Sequence, residues 1–292
     1  MTEELKSFAD QLINAITGFV STNPGNYCEL SQGPYFDEPL IGFARGDDPI
    51  FDKVKEQVGP LSLTPWEALA GSLPPGKLQE VSKPEDISVV SWVLPINSLV
   101  RATNRREKSE PSPEWSYTRN YGEEFNNSLK KFVTGWLEAR GCPAVAPSLL
   151  PGFKIIKDPA RGNFTSTWSE RHIAYACGLG TFSLNDGLIT ARGIAHRLGS
   201  VVVSTKLPRA ERPYNGHMDY CLAGRGCTAC IRRCPVNALT GGGHDKKLCN
   251  EMNYSGEEAA RRRKRLGFEQ TGCGLCQVGV PCEDRIPGIK SP

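Results

Sequence analysis

Apolar side chains at Leu5, Phe8, Ala9, Leu12, Ile13, Ile16, Phe19 and Val20 fall on one face of a 3.6-residue repeat. They predict an amphipathic packing helix over residues 2–20. Prolines and glycines then interrupt the chain from Ser21 to Pro84, Pro74 and Pro75 among them. Only short elements are expected there: a strand at 40–44 and a helical stretch within 50–58. Residues 87–94 form a β-branched and apolar run ending at Pro95, the pattern of a buried strand. The charged, Ser- and Pro-rich stretch 101–114 reads as a mobile surface loop. A second long helix is predicted over about 122–140, with Phe125, Leu129, Phe132, Val133, Trp136 and Leu137 on one face and Gly141 as its stop. A third is expected to begin near Thr167, where Thr167-x-x-Glu170 fits a capping box, and to exit at Gly178. Two strands, 187–190 and 199–204, flank a turn-and-basic segment containing Arg192, His196 and Arg197.

The alternation of helices and strands indicates an α/β domain. After Leu207 the composition shifts to Cys, Gly and Arg. The boundary is expected between Leu207 and His217, giving domains 1–210 and 211–292. A length of 292 residues accommodates two domains, and 39% hydrophobic and 23% charged residues describe an ordinary globular chain. A net charge of +3 does not by itself point to nucleic acid or membrane. The N-terminal residues carry neither a basic leader nor an apolar core, and no apolar run approaches the roughly 20 residues that span a bilayer. A cytoplasmic location without membrane attachment is therefore expected, where thiols stay reduced and clustered cysteines act as metal ligands rather than disulfides.

Eight of the eleven cysteines lie between Cys221 and Cys282. The run Cys227-x-x-Cys230-x-x-x-Cys234-Pro235 has the spacing of two-cluster bacterial ferredoxins, in which the fourth cysteine crosses over to the other cluster. Two [4Fe–4S] clusters need eight thiolates. The crossover assigns Cys221, Cys227, Cys230 and Cys282 to one and Cys234, Cys249, Cys273 and Cys276 to the other. Two details depart from the simplest pattern: the first gap is five residues, and Cys282 follows a proline instead of preceding one. Zinc is the rival, but a tetrahedral set would have to ignore the interleaving. Cys28, Cys142 and Cys177 have no partners at ligand spacing and read as small buried hydrophobes.

The run 169–184, Ser-Glu-Arg-His-Ile-Ala-Tyr-Ala-Cys-Gly-Leu-Gly-Thr-Phe-Ser-Leu, resembles the epoxyqueuosine reductases and the related reductive dehalogenases. The likeness continues through Leu188-Ile189-Thr190, the stretch 197–205 and the cysteines. Ser116-Tyr117-Thr118-Arg119-Asn120-Tyr121 and the strand at 87–95 resemble the family's corresponding segments, so the similarity covers roughly 85–285. It implies a nitroreductase-like α/β domain that binds cobalamin base-off, followed by a bacterial-type two-cluster ferredoxin domain. Low-potential electrons from a ferredoxin or flavodoxin would pass through the clusters to cobalt and on to a small-molecule substrate.

Carried over by position, Arg171 matches an arginine on the substrate side of the corrinoid. Arg119, Gly178, Gly180 and Phe164 fall in the implied cobalamin pocket. Phe164 occupies the place of the family's aspartate proton donor, seven residues before Arg171, so either the reaction differs or another group donates the proton, such as Tyr117, Tyr121, His172 or Tyr175. The resemblance to the nucleoside-modifying members lacks the C-terminal extension that helps them hold tRNA, which argues against tRNA and for a small substrate or a corrinoid partner. The basic run 261–265 is either a solvated helix face or a dock for an acidic electron donor. Gly178-Leu179-Gly180 lacks the full dinucleotide fingerprint, and no nicotinamide site is expected. Two further readings stay open: an iron–sulfur electron carrier or corrinoid-reducing activase without substrate chemistry of its own, and a zinc-stabilised interaction module.

Overall fold

Strand β2 (Ser88–Pro95) is buried along its whole length. It pairs antiparallel with β1 (Leu40–Arg45) on one side and with β8 (His196–Val203) on the other, and the two-residue β3 (Ala144–Val145) pairs antiparallel with β8. The computed structural model describes residues 3–73 and 83–288, so Pro74 and Pro75 lie outside the described residues, as do the extreme ends of the chain. The sheet order β1-β2-β8-β3 sits at the centre of a mixed α/β fold in which these pairings are all antiparallel.

The period of two along β2 divides the interior. Val90, Trp92 and Leu94 point into one core with α1 (Glu3–Thr22) and α5 (Pro113–Glu138). Val89 points into a second with α2 (Ile50–Val58), α3 (Pro65–Ala70) and α6 (Glu170–Ala176). Trp92 is fully buried, and its indole N–H donates to Asn126 Oδ1 at 3.0 Å, while Asn126 Nδ2 donates to the Leu198 carbonyl. A helix on one side thereby reads the register of the two central strands.

Two expectations are corrected. The stretch 101–114 is not a mobile loop: α4 (Ser98–Arg106) occupies its first part, and α5 begins at Pro113, capped by the Ser112 hydroxyl, which accepts from Trp115 N. The Thr167-x-x-Glu170 capping box does not form. The N-cap of α6 is Ser169, and the Glu170 carboxylate accepts instead from Ser148 Oγ and Ser200 Oγ on distant segments. The hairpin of β4 (Ile155–Asp158) and β5 (Asn163–Ser166) and that of β6 (Gly180–Phe182) and β7 (Leu188–Thr190) border the functional region. No described helix is long and apolar enough to cross a membrane.

Residues beyond 211 add short elements: α7 (Ala229–Arg232), the hairpin β9 (Leu239–Thr240) with β10 (Gly243–His244), α8 (Lys246–Asn250) and α9 (Glu257–Leu266). Their small apolar cluster contains Ala229, Val280, Cys221, Cys227, Cys230 and Cys282, and Ile189 and Ile194 of the first 210 residues pack into it.

Candidate functional site

The eight clustered cysteines divide into two spatial sets. Cys221, Cys227, Cys230 and Cys282 line one small cavity beneath Ile189 and Ala229. Cys234, Cys249, Cys273 and Cys276 all border a much larger cleft. Short turns present them: Cys221 N and Cys227 N donate to the Met218 and Leu222 carbonyls, and Pro235 follows Cys234 where α7 has ended. Burial, then the neighbouring Cys221 and Cys230, push the Cys282 thiol up to about 12. Burial also raises Cys273 to about 11 and lifts Cys276, with Cys249 and Cys234 adding to both. Shifts in this direction favour the protonated thiol, and a bound cation would reverse them. Among the described residues no three His, Cys, Asp or Glu side chains converge closely enough to share one metal ion. Two sulfurs of the cleft-side set accept hydrogen bonds, Cys234 from Ala238 N at 3.2 Å and Cys249 from Asn253 Nδ2 at 3.3 Å.

The cleft has a volume of about 1740 Å³, above the roughly 300–1,000 Å³ of an ordinary small-molecule pocket. One face of α5 supplies Trp115, Arg119, Glu123 and Lys130 to its wall. Phe164 of β5, the α6 residues Glu170, Arg171, His172 and Tyr175, and His196 and Arg197 of β8 complete much of the remainder. Arg171, His172, Tyr175, Arg119 and Phe164, singled out from the sequence, are thus brought onto one surface together with four thiols.

Their settings differ. Arg171 Nη1 donates to the Asp186 carbonyl at 2.6 Å, and the Asp186 carboxylate pairs with His244 Nδ1 at 3.0 Å and Lys246 at 3.6 Å, so the arginine rests on a link to the cysteine-bearing segment. His172 packs against Phe182, with Nδ1 2.7 Å from Ser169 Oγ. Burial and then Arg171 hold its pKa near 4, leaving a neutral imidazole at pH 7 that is poorly suited to deliver a proton. Tyr175 stacks on Tyr214, whose hydroxyl donates to the Tyr175 carbonyl.

Other predicted residues lie elsewhere. Tyr117 and Tyr121 point off a different face of α5 and pack with each other and with Phe268, Tyr117 also stacking on Tyr35; neither lines the cleft. Gly178 and Gly180 do not line it either. Gly178 has φ +79°, and a Cβ there would meet the Glu211 carbonyl oxygen at 2.3 Å; a Cβ on Gly180 would meet that of Ile189 at 2.1 Å. Both glycines permit close backbone approach. The basic run 261–265 is partly internal. Arg262 is buried and donates to the Met252 carbonyl, Arg263 donates to the Tyr254 carbonyl, and Arg261 and Arg265 pair with Glu258 and Glu110.

Four cleft residues escaped the sequence reading as site groups: Glu123, Lys130, Glu170 and Arg197. Glu123 lies 3.7 Å from Arg197, 3.6 Å from Lys130 and 3.9 Å from Arg119, and these cations hold its carboxyl below the usual range despite burial. Burial raises Glu170, with Lys130 at 3.8 Å opposing. The available signal was charge at helical spacing on the apolar α5 pattern, Arg119-Glu123-Lys130, which a surface reading absorbs.

No family model matches the chain. An epoxyqueuosine reductase of Bacillus cereus is 31% identical over 121 residues, covering 40% of this chain and 30% of that protein. Among solved structures, an epoxyqueuosine reductase with an epoxyqueuosine-modified tRNA-Tyr stem loop superposes with a TM-score of 0.50 at 17% identity, covering 96% of this chain and 66% of that one. A catabolic reductive dehalogenase in complex with 3-bromo-4-hydroxybenzoic acid gives 0.51 at 14%, covering 85% and 30%. The chain therefore resembles the epoxyqueuosine reductases in sequence and shares a fold with both groups.

Proposed function

We propose that the chain is an oxidoreductase that passes low-potential electrons through two [4Fe–4S] clusters to a base-off corrinoid in the cleft, for reduction of a substrate not yet identified. The observation that carries this reading is the opening of Cys234, Cys249, Cys273 and Cys276 onto the same cleft as Arg171, Tyr175 and Arg119, while the other four thiols line a separate small cavity. Cys221, Cys227, Cys230 and Cys282 would hold the outer cluster and the cleft-side four the inner one. The cleft also fits a corrinoid. Besides its volume, it is bordered by buried polar atoms without hydrogen-bond partners, Arg119 Nε, Arg197 Nε, His196 Nδ1 and Gln270 Oε1, which suit a ring fringed with amides. When bound, the corrinoid supplies reducing chemistry through its cobalt.

The chain's own residues position and shield. Arg171, steadied by Asp186, presents a cation to the substrate side. Phe164 contributes an apolar wall where a carboxylic acid would otherwise supply the proton, and that task passes to Tyr175, the cleft-lining phenol of the four candidates that sits beside Arg171 on α6. Phe164 also favours the second reading, a corrinoid-reducing activase with no substrate chemistry of its own.

Anaerobic reconstitution tests the proposal. About eight iron and eight sulfide per chain are expected, together with a base-off visible spectrum on adding cobalamin. Stoichiometric zinc without sulfide would exclude the reading. Clusters without corrinoid binding would leave an electron carrier, and corrinoid transfer to a second protein would mark the activase.

A further inference from the structure

Three cations, Arg119, Lys130 and Arg197, gather around the single carboxylate of Glu123 at 3.6–3.9 Å, beyond hydrogen-bond distance in each case. Glu170, the next carboxyl along, is pushed by burial toward its neutral form. Lys130 has Asn127 Oδ1 at 3.2 Å, but Nε of Arg119 and Nε of Arg197 are buried without any hydrogen-bond partner. The two guanidinium groups come from different elements, α5 and β8, and both line the cleft. Arg119 packs over Gly272, the residue before Cys273. Buried positive charge in excess of its counter-charge is costly, as is a guanidinium N–H left without an acceptor. Both are relieved by an oxyanion, whose paired oxygens match the planar fork of arginine.

We propose that Arg119 and Arg197 form an anion-binding subsite in the cleft, which takes a phosphate or carboxylate group of the ligand that fills it. The charge that Glu123 supplies fixes the two side chains but does not saturate them. Two sources carry this chemistry: the phosphodiester in the nucleotide tail of cobalamin, and an anionic group on the substrate. Only the naming of these sources rests on the corrinoid reading; the anion site stands on the side chains alone.

The test uses the full chain with its iron–sulfur content reconstituted, as wild type, Arg197→Gln, Arg197→Lys and Arg119→Gln, with matched iron content and circular dichroism to show that each folds. Calorimetric titration with inorganic phosphate is expected to give an affinity at least tenfold weaker in either glutamine variant, with Arg197→Lys intermediate. Cobalamin is then compared with cobinamide, which lacks the nucleotide and its phosphate. If the tail is the source, wild type prefers cobalamin and Arg197→Gln reduces that preference at least tenfold. If the substrate is the source, the preference is unchanged and phosphate still binds the corrinoid-loaded wild type but not the variant. Equal phosphate affinity and an equal corrinoid preference in wild type and both glutamine variants would overturn the subsite. Phosphate binding that depends on Arg197 in a protein that takes up no corrinoid would keep the subsite and remove the corrinoid reading.

Discussion

A carboxyl group enclosed by two hydroxyls and a lysine behaves differently from one at a helix start, and Glu170 shows the difference. Ser148 and Ser200 donate to its two oxygens, Ser200 in turn accepts from the Trp168 indole, and Lys130 stands 3.8 Å away. Burial dominates and raises its pKa above 4.5, with Lys130 and the serines opposing and Glu123 assisting. For a carboxyl raised on folding, the folded state binds the proton more tightly than the unfolded chain. The resulting stability is complete below pH 4.5 and is lost as pH rises through the folded value, at about 1.4 kcal/mol per unit between the two. Glu170→Gln removes that loss. Its urea midpoint relative to wild type is expected to rise between pH 5 and pH 8, whereas a constant difference would mean that Glu170 is ionised throughout. His172 and His196, both held near 4 by burial, act in the opposite direction below pH 6.5 and cancel in this comparison.

At the scale of elements, the corner between α4 and α5 fastens the cysteine-bearing segment to the sheet domain. Arg101 and Arg105 of α4 converge on Glu283, next to Cys282, and Glu283 also accepts from Gly279 N. Asn104 donates to the Cys273 carbonyl, while Arg233 donates to the carbonyls of Asn104 and Glu107. Glu283 is 6% exposed and Arg101 11%, but Arg105 is 50% exposed. Glu283→Ala is therefore expected to cost on the order of 3 kcal/mol and to speed iron loss under chelator. Arg105→Ala should cost under about 1 kcal/mol, and equal effects of the two would show that the contact does not hold the segment. Such long-range pairing explains why 101–114 looked like a loop: its charges have partners some 180 residues away in the chain, which local patterning does not reveal. The beginning of α5 was more accessible, since Ser112-Pro113 is a cap and first-turn signal, but Gly122 reads as a break and is in fact packed against Phe36. Self-contained patterns were legible: the α1 stripe, the β2 run and the cysteine spacing each depend on neighbours in sequence. The α5 charges that line the cleft did not stand out, because a helix face turned to a cavity and one turned to solvent carry the same residues.

For the whole molecule, the interleaving of the two thiol sets would, on the proposed reading, determine how electrons travel. Cys230 of the outer set contributes to the elevation of both Cys282 and Cys276, so the two sets are electrostatically coupled. A chain folded with sequential pairing would place Cys221, Cys227, Cys230 and Cys234 around one centre and leave the cleft served by Cys249, Cys273, Cys276 and Cys282. The structure instead places Cys234 at the cleft and Cys282 at the outer cavity. Serine substitution distinguishes these arrangements without knowledge of the substrate. In reconstituted, reduced protein, Cys234→Ser is expected to alter the same electron paramagnetic resonance signal as Cys276→Ser, with iron falling from about eight toward about four per chain. Cys282→Ser should alter the other signal, together with Cys230→Ser. Adding cobalamin should then perturb the first signal, because only that set opens onto the cleft, and should leave the second nearly unchanged. If Cys234→Ser reproduces Cys230→Ser instead, the interleaved assignment fails. The inner centre would then include Cys282, which lines the outer cavity, and the proposed order of electron flow from outer set to cleft would have to be redrawn.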